Sequence, residues 1–262
     1  MWETVIVNPF TNVLLMIYKL IGGNFGVAII LFTVLIRLLT HPLMASQIKG
    51  STKMQELQNS KEWLDLQKKY KDDKEKLAQE QMKYYQSIGY NPLASCLPTF
   101  IQLPIMFGLY QSIMRAIAAS PMQLLILSRA VYPFFRLADV VPLNSQFLWM
   151  NLGQPERVYL FGYGIPVMAI LVAATTYIQS KVTLPVSANP NDQSAMMGNM
   201  MAIYMPLFMG FLTYSFASGL ALYIIIGNLL SLVQYALLGK IYWKNLLPGK
   251  RPVPVQAGGK KK

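Results

Sequence analysis

Arg37 stands inside an apolar run, residues 26–43, with Leu35, Ile36, Leu38 and Leu39 around it. A guanidinium at the centre of a membrane helix costs on the order of 3 kcal/mol even on the lenient insertion scale. A charge retained at that cost is a binding-site candidate. In a low-dielectric setting it would attract acidic groups more strongly than bulk water allows. Thr33 lies one turn before it and His41 one turn after. Snorkelling is the competing explanation: Pro42 marks the expected end of the span, about 8 Å away at helical rise, within reach of a long side chain.

The other chemistry is mostly excluded by a census. The 262 residues contain eleven acidic side chains, one histidine and one cysteine. Glu3, Glu56, Glu62, Asp65, Asp72, Asp73, Glu75, Glu80, Asp139, Glu156 and Asp192 all fall outside the apolar runs. Paired aspartates for intramembrane proteolysis are therefore missing, as are a His-Glu-x-x-His zinc motif and the buried carboxylates of proton relays. His41, beside Pro42, reads as an interfacial residue. A serine nucleophile would lack a histidine base unless a lysine served. Cys96 alone forms no internal disulfide and no cysteine cluster for zinc. No catalytic residue, metal or cofactor is expected.

With no carboxylate in the membrane to pair with, Arg37 either snorkels or faces water. Gln102 and Gln111, Thr175, Thr176 and Gln179, and Asn228, Ser231 and Gln234 lie on other apolar runs. Singly, each is equally well explained by interhelical hydrogen bonding. Together with an unpaired arginine they suggest a polar concavity opening to the cytoplasm. Methionines gather at Met196, Met197, Met200, Met201, Met205 and Met209. They suit either a surface accepting varied apolar partners or ordinary packing.

The elements that must position these residues are membrane helices. The chain is 54% hydrophobic and 13% charged, about half the charge of a soluble domain. The net charge of +12 suits anionic lipid head groups or nucleic acid. The pattern predicts an all-α polytopic membrane protein with five transmembrane helices and a cytoplasmic helical hairpin. Residues 1–23 form an outer N-terminal segment, with either an interfacial helix or an early start of the span. Spans follow at 24–43, 94–118, 158–181, 197–216 and 220–241, each near the roughly 20 residues a bilayer needs. Residues 44–92 are charge-dense, proline-free until their end and rich in helix formers, which predicts a coiled-coil hairpin turning near residues 71–74 rather than a disordered loop. Residues 119–157 are an outer loop and 182–196 a cytoplasmic loop. The basic tail, 242–262, is expected to be disordered. Seventeen lysines and arginines fall on one side and five on the other, which puts the N-terminus outside and the C-terminus in the cytoplasm. The first residues lack the basic stretch of a signal peptide, and a bacterial plasma membrane is the default.

Several motifs carry a family likeness from residue 22 to 244. They are Ala28-Ile-Ile…Thr33…Arg37…His41-Pro42-Leu43, Lys53-Met54-Gln55-Glu56-Leu57-Gln58, and Asn91-Pro92-Leu93-Ala94-Ser95-Cys96-Leu97-Pro98…Gln102-Leu103-Pro104. Thr176-Tyr177-Ile178-Gln179-Ser180-Lys181 and Ser218-Gly219-Leu220-Ala221-Leu222-Tyr223…Asn228-Leu229…Gln234 follow. In this order the chain resembles the YidC/Oxa/Alb membrane protein insertases, in a short bacterial form without the large outer domain. The resemblance implies a five-helix core around a groove open to cytoplasm and lipid but closed outside. Nascent membrane proteins would enter that groove and leave laterally into the lipid bilayer. Arg37 and Thr33 match the family's groove positions; Thr33, Gln179 and Asn228 would solvate the charge when no client is present, and Gln102 is a further expected groove residue. Ile224 stands where the family often carries a groove-facing aromatic. Asn59, Ser95 and Ala217 also depart from the family pattern. The ribosome, through hairpin and tail, and a Sec translocon are the implied further partners. The rival from another class is a small channel or anion carrier using Arg37; a purely structural bundle is third.

Overall fold

Gly22 and Gly23 adopt φ of +78° and +88°, a conformation open to glycine at little cost. They end helix α1 (Asn8–Leu20), which follows one π-helical turn at Glu3–Val7. Asn24 then caps the next helix, its Oδ1 accepting from the Val27 N–H at 3.1 Å. The computed structural model describes residues 1–58, 60–70, 73–88, 97–118, 120–133, 136, 138, 140–160, 162–183, 193–239 and 241. It is mostly helical. After α2 (Phe25–Gln58) come α3 (Lys61–Lys69), α4 (Lys74–Ser87), α5 (Leu97–Ile117), α6 (Pro121–Ala130), α7 (Val167–Thr183), α8 (Gln193–Ser215) and α9 (Ser218–Leu237).

The pattern ends the first span at residue 43, beside Pro42, but α2 continues through Pro42 to Gln58. One proline removes a single backbone bond, and long membrane helices tolerate that loss. Beyond it, α3 and α4 pair, with Ser60 and Asp73 as their N-caps. Trp63 is buried between them against Tyr84 and Tyr85, at ring-centroid distances of 5.9 and 5.2 Å. The strictly all-α expectation needs correction. Among the described residues, two antiparallel β-hairpins lie between α6 and α7: β1 (Gln146–Phe147) with β2 (Met150–Asn151), and β3 (Val158–Leu160) with β4 (Tyr163–Ile165). The second occupies residues that the sequence pattern assigns to the third span. Gly162 at φ +84° supplies its turn, and Pro166 precedes the start of α7 at Val167. The Asn91–Cys96 motif, the turn residues Lys71 and Asp72, residues 184–192 and the tail lie outside the described residues.

Close contacts give the helix directions. A Cβ built at Gly219 would sit 3.3 Å from Ile29, and one at Gly227 2.9 Å from Arg37. The second pair lies about two turns further along both helices, so α2 and α9 run parallel. Gln102 meets Tyr223 while Ile113 meets Gly219, so α5 runs antiparallel to α9. On the far side Gly210 of α8 packs on Ala173 of α7. Loop carbonyls cap α9: the N–H groups of Ser218 and Gly219 donate to Gln154 O and Leu152 O at 2.9 and 3.1 Å.

The apolar core lies at one end. It draws on Leu14, Leu15, Phe25, Ile29, Phe32, Leu109, Ile113, Leu152, Val172 and Leu220, so on the first halves of α2, α7 and α9 and the second half of α5. Asn12 ties this end together. Buried to 3% exposure, it donates from Nδ2 to Ala130 O at 2.9 Å and accepts the Tyr132 N–H at 2.8 Å.

Asn12→Ala should leave the Ala130 carbonyl and the Tyr132 N–H without this partner. A loss of about 1–3 kcal/mol is expected, read as a lowered melting temperature of the detergent-solubilised protein by circular dichroism. The Asp73 carboxyl is held below its ordinary range chiefly by the bond it accepts from the Lys76 backbone N–H. Its contribution to α4 is therefore present above the ordinary aspartate value and fades as pH falls through the lowered one. Amide exchange in the first turn of α4 should accelerate in Asp73→Ala, after correction for intrinsic rates, and should then no longer change with acidification across that range.

Candidate functional site

Arg37 sits at the inner margin of the apolar core. Its helix turns Leu35, Leu38 and Leu39 outward, while the guanidinium reaches the opposite way, to α9. There it meets Gly227, the one α9 position on that turn with no side chain to exclude it. Tyr223, one turn earlier on α9, lies near enough to interact with it electrostatically. The Tyr223 hydroxyl accepts a 2.6 Å bond from Gln102 Nε2 of α5. Three helices thus converge on one charge. Among the described residues no carboxylate lies within ion-pair distance of Arg37; the ion pairs present join Lys76 to Asp73, Lys83 to Glu80 and Arg115 to Glu3.

The α9 face continues past Gly227 to Ser231 and Gln234, spaced at one turn each. Both are buried, at 1% and 9% exposure. Among the described residues, Ser231 Oγ and Gln234 Oε1 have no hydrogen-bond partner. Buried polar oxygens are normally satisfied, by protein or by water. By the parallel register of α2 and α9, they lie beyond Arg37, on the side away from the apolar core.

The other residues singled out in the sequence fall elsewhere. Thr33 is fully buried and donates to the Ile29 carbonyl of its own helix at 2.6 Å. Asn228 turns to α7 and donates to Thr175 Oγ1 and Thr176 Oγ1 at 3.1 and 2.9 Å. It joins two helices. Ile224 packs in the apolar core. Gln179 is half-buried near the end of α7, and its carbonyl accepts from Thr183 Oγ1 at 2.7 Å. So Gln102 is related to Arg37 through Tyr223, while Thr33 and Asn228 make their hydrogen bonds to other groups and Ile224 packs in the core. Gly227 is the residue that motif inspection passes over. Its signal is present in the sequence: Tyr223, Gly227, Ser231 and Gln234 recur at helical spacing on one face.

Comparison with known proteins adds what geometry alone cannot. A family model described as "60Kd inner membrane protein" matches residues 16–245. The chain belongs to that family. Within the 60Kd inner membrane protein family it is similar to "Membrane protein insertase MisCA" of Bacillus subtilis (strain 168), 35% identical, covering 100% of this chain and 86% of the relative. It is 35% identical to "Membrane protein insertase YidC 2" of Bacillus anthracis, over 90% of this chain and 80% of that one. "Membrane protein insertase YidC" of Clostridium perfringens is 33% identical over 94% of each. Among solved structures, "Active YidC insertase crystal structure with the first transmembrane domain resolved" superposes with a TM-score of 0.52 at 25% identity. That match covers 86% of this chain and 45% of the solved one, so this chain spans less than half its length. The family likeness drawn from the motifs is thereby shown.

Asn228→Ala should cost about 0.6–1.7 kcal/mol, the range of single interhelical bonds in membranes. It should leave the chemical accessibility of Arg37 unchanged. Thermal unfolding in detergent and dicarbonyl modification of Arg37 measure the two effects separately.

Proposed function

We propose that this chain is a membrane protein insertase of the bacterial cell membrane. It takes hydrophobic segments of nascent membrane proteins into a polar site open to the cytoplasm and releases them sideways into lipid. The observation that carries the proposal is Arg37, a charge without a carboxylate neighbour among the described residues, in contact with α9 and backed by an inner face of unpaired oxygens. Such a charge must be solvated, and water in the inner half of the bundle does this. The insertase names of relatives along the whole chain point the same way.

Five spans are part of this proposal: α2 up to about Leu43, α5, α7, α8 and α9. Among the described residues two helices are long and apolar enough by themselves, Phe25–Gly50 and Ser218–Leu237; Val167–Thr183 and Ala202–Ser215 are shorter apolar helices. The outward faces support it, since Ile203, Tyr204, Leu207, Phe208 and Phe211 on α8 are all exposed. Exposed apolar rows of this size suit lipid. The basic bias then places the paired helices α3 and α4 and the tail in the cytoplasm, where they face the ribosome. A Sec translocon is a further partner. The apolar core closes the outer end.

An acidic residue in a client's outer segment would be drawn to Arg37 and held only transiently, because water competes for the charge. Arg37→Lys should keep much of the activity. Arg37→Ala should impair a single-span client with an aspartate in its outer segment and spare the matched Asp→Asn client. Equal impairment of both would remove the charge-reading mechanism. Solute uptake by proteoliposomes would favour the anion carrier instead. For the groove itself, cysteines replacing Ser231 and Gln234 should react with a membrane-impermeant maleimide from the cytoplasmic side, and a cysteine replacing Ile29 should not. Truncation after Lys244 should weaken cosedimentation with ribosomes at low salt, since lysine contacts to RNA phosphates are salt-dependent.

A further inference from the structure

We infer that Gly227 is a positioning residue for Arg37: the space left by its missing side chain is the seat of the guanidinium. The inference rests on the proposal that Arg37 is the charge that meets clients. A Cβ at position 227 would stand 2.9 Å from Arg37 Nη2 and 3.7 Å from its Cζ and Nε. Side-chain carbons do not approach that closely, so one of the two must move.

The surroundings decide which one moves. Gly219 on the same helix would press on the Leu152 carbonyl at 3.0 Å and on Ile113 and Ile29 at 3.3 Å. Gly210 would meet Ala173 Cβ at 3.1 Å and the Ala169 carbonyl at 3.4 Å. Those two serve close approach of packed elements, the usual office of glycine in membrane bundles. At Gly227 the neighbour is the far end of a long, flexible side chain. Position 227 also lies well within α9, where alanine is a better helix former than glycine by about 1 kcal/mol. A methyl group there therefore has little to break in the fold. What it displaces is the charge. Ser231 Oγ and Gln234 Oε1, without partners among the described residues on the following turns of the same face, are acceptors for the displaced guanidinium.

Gly227 thus acts through Arg37. It lets the arginine lie end-on against α9, beside Tyr223 and its Gln102 partner, instead of projecting freely into the water-filled half. The seat fixes where the positive charge stands along the path of a client segment.

The test uses the full-length protein reconstituted in lipid vesicles. Phenylglyoxal modification of Arg37 is followed by peptide mass spectrometry, and insertion is measured for the Asp and Asn client pair. Gly227→Ala and Gly227→Ser should accumulate normally. Both should raise the modification rate of Arg37 several-fold and reduce insertion of the Asp client more than that of the Asn client. In an Arg37→Lys background Gly227→Ala should have no further effect, because lysine places no Nη2 in the seat. Unchanged modification of Arg37 would overturn the inference. Equal losses with arginine or lysine at position 37 would do the same, since they would mark an ordinary packing glycine, and so would failure of both variants to accumulate. Faster modification with insertion of both clients untouched would keep the seat and overturn the proposed role of Arg37 in meeting clients.

Discussion

A guanidinium cannot be neutralised by losing its proton at any ordinary pH, and no carboxylate stands beside Arg37 among the described residues. Its charge must be balanced by dipoles and water. In the proposed function this single requirement is what divides the bundle into two ends. The core end is dry, with Phe25, Ile29, Phe32, Leu109 and Leu220 all at 2% exposure or less. Beyond Arg37, Ser231 Oγ and Gln234 Oε1 have no hydrogen-bond partner among the described residues.

Residues that interrupt the apolar runs of such a bundle therefore do three different jobs, and geometry separates them. Asn12 and Asn228 join elements: each bridges two partners that are distant in sequence. Thr33 and Thr213 return their hydroxyls to carbonyls of their own helices, at 2.6 and 2.8 Å, which hides the polar atom without linking anything. Gln102, Tyr223 and Gly227 belong to the charge. Composition treats all of these as polar interruptions in apolar runs; only the partners distinguish them.

Much of the helical architecture was legible in the sequence because apolar runs of membrane length and a charge-dense, proline-free block leave few alternatives. Arg37 was legible for the same reason, as the lone charge in such a run. The β-hairpin at residues 158–165 was not, because Val158, Leu160 and Ile165 continue the hydropathy of the helix that follows and only Gly162 marks the turn. The extent of α2 was misjudged at Pro42, where a local helix-breaking rule yields to the length of helix on either side. Gly227 was passed over because the absence of a side chain carries meaning only opposite another helix. Asn228 stood out as polar, but its partners on α7 follow from the pairing of α7 with α9, which periodicity alone does not supply.

The unbroken course of α2 has a mechanical consequence. Its 34 residues extend about 51 Å at 1.5 Å each, from the dry core past Arg37 to the base of the α3–α4 pair. Arg37 and that pair are mounted on one shaft. A sideways push on the distal end acts as a torque about the packed end, and the guanidinium, part-way along, moves through a shorter arc in the same sense. Pro42 lies just beyond it, where the shaft has one backbone bond fewer and bends most readily. The stiffness at that joint sets how much of a distant load reaches the contact between α2 and α9.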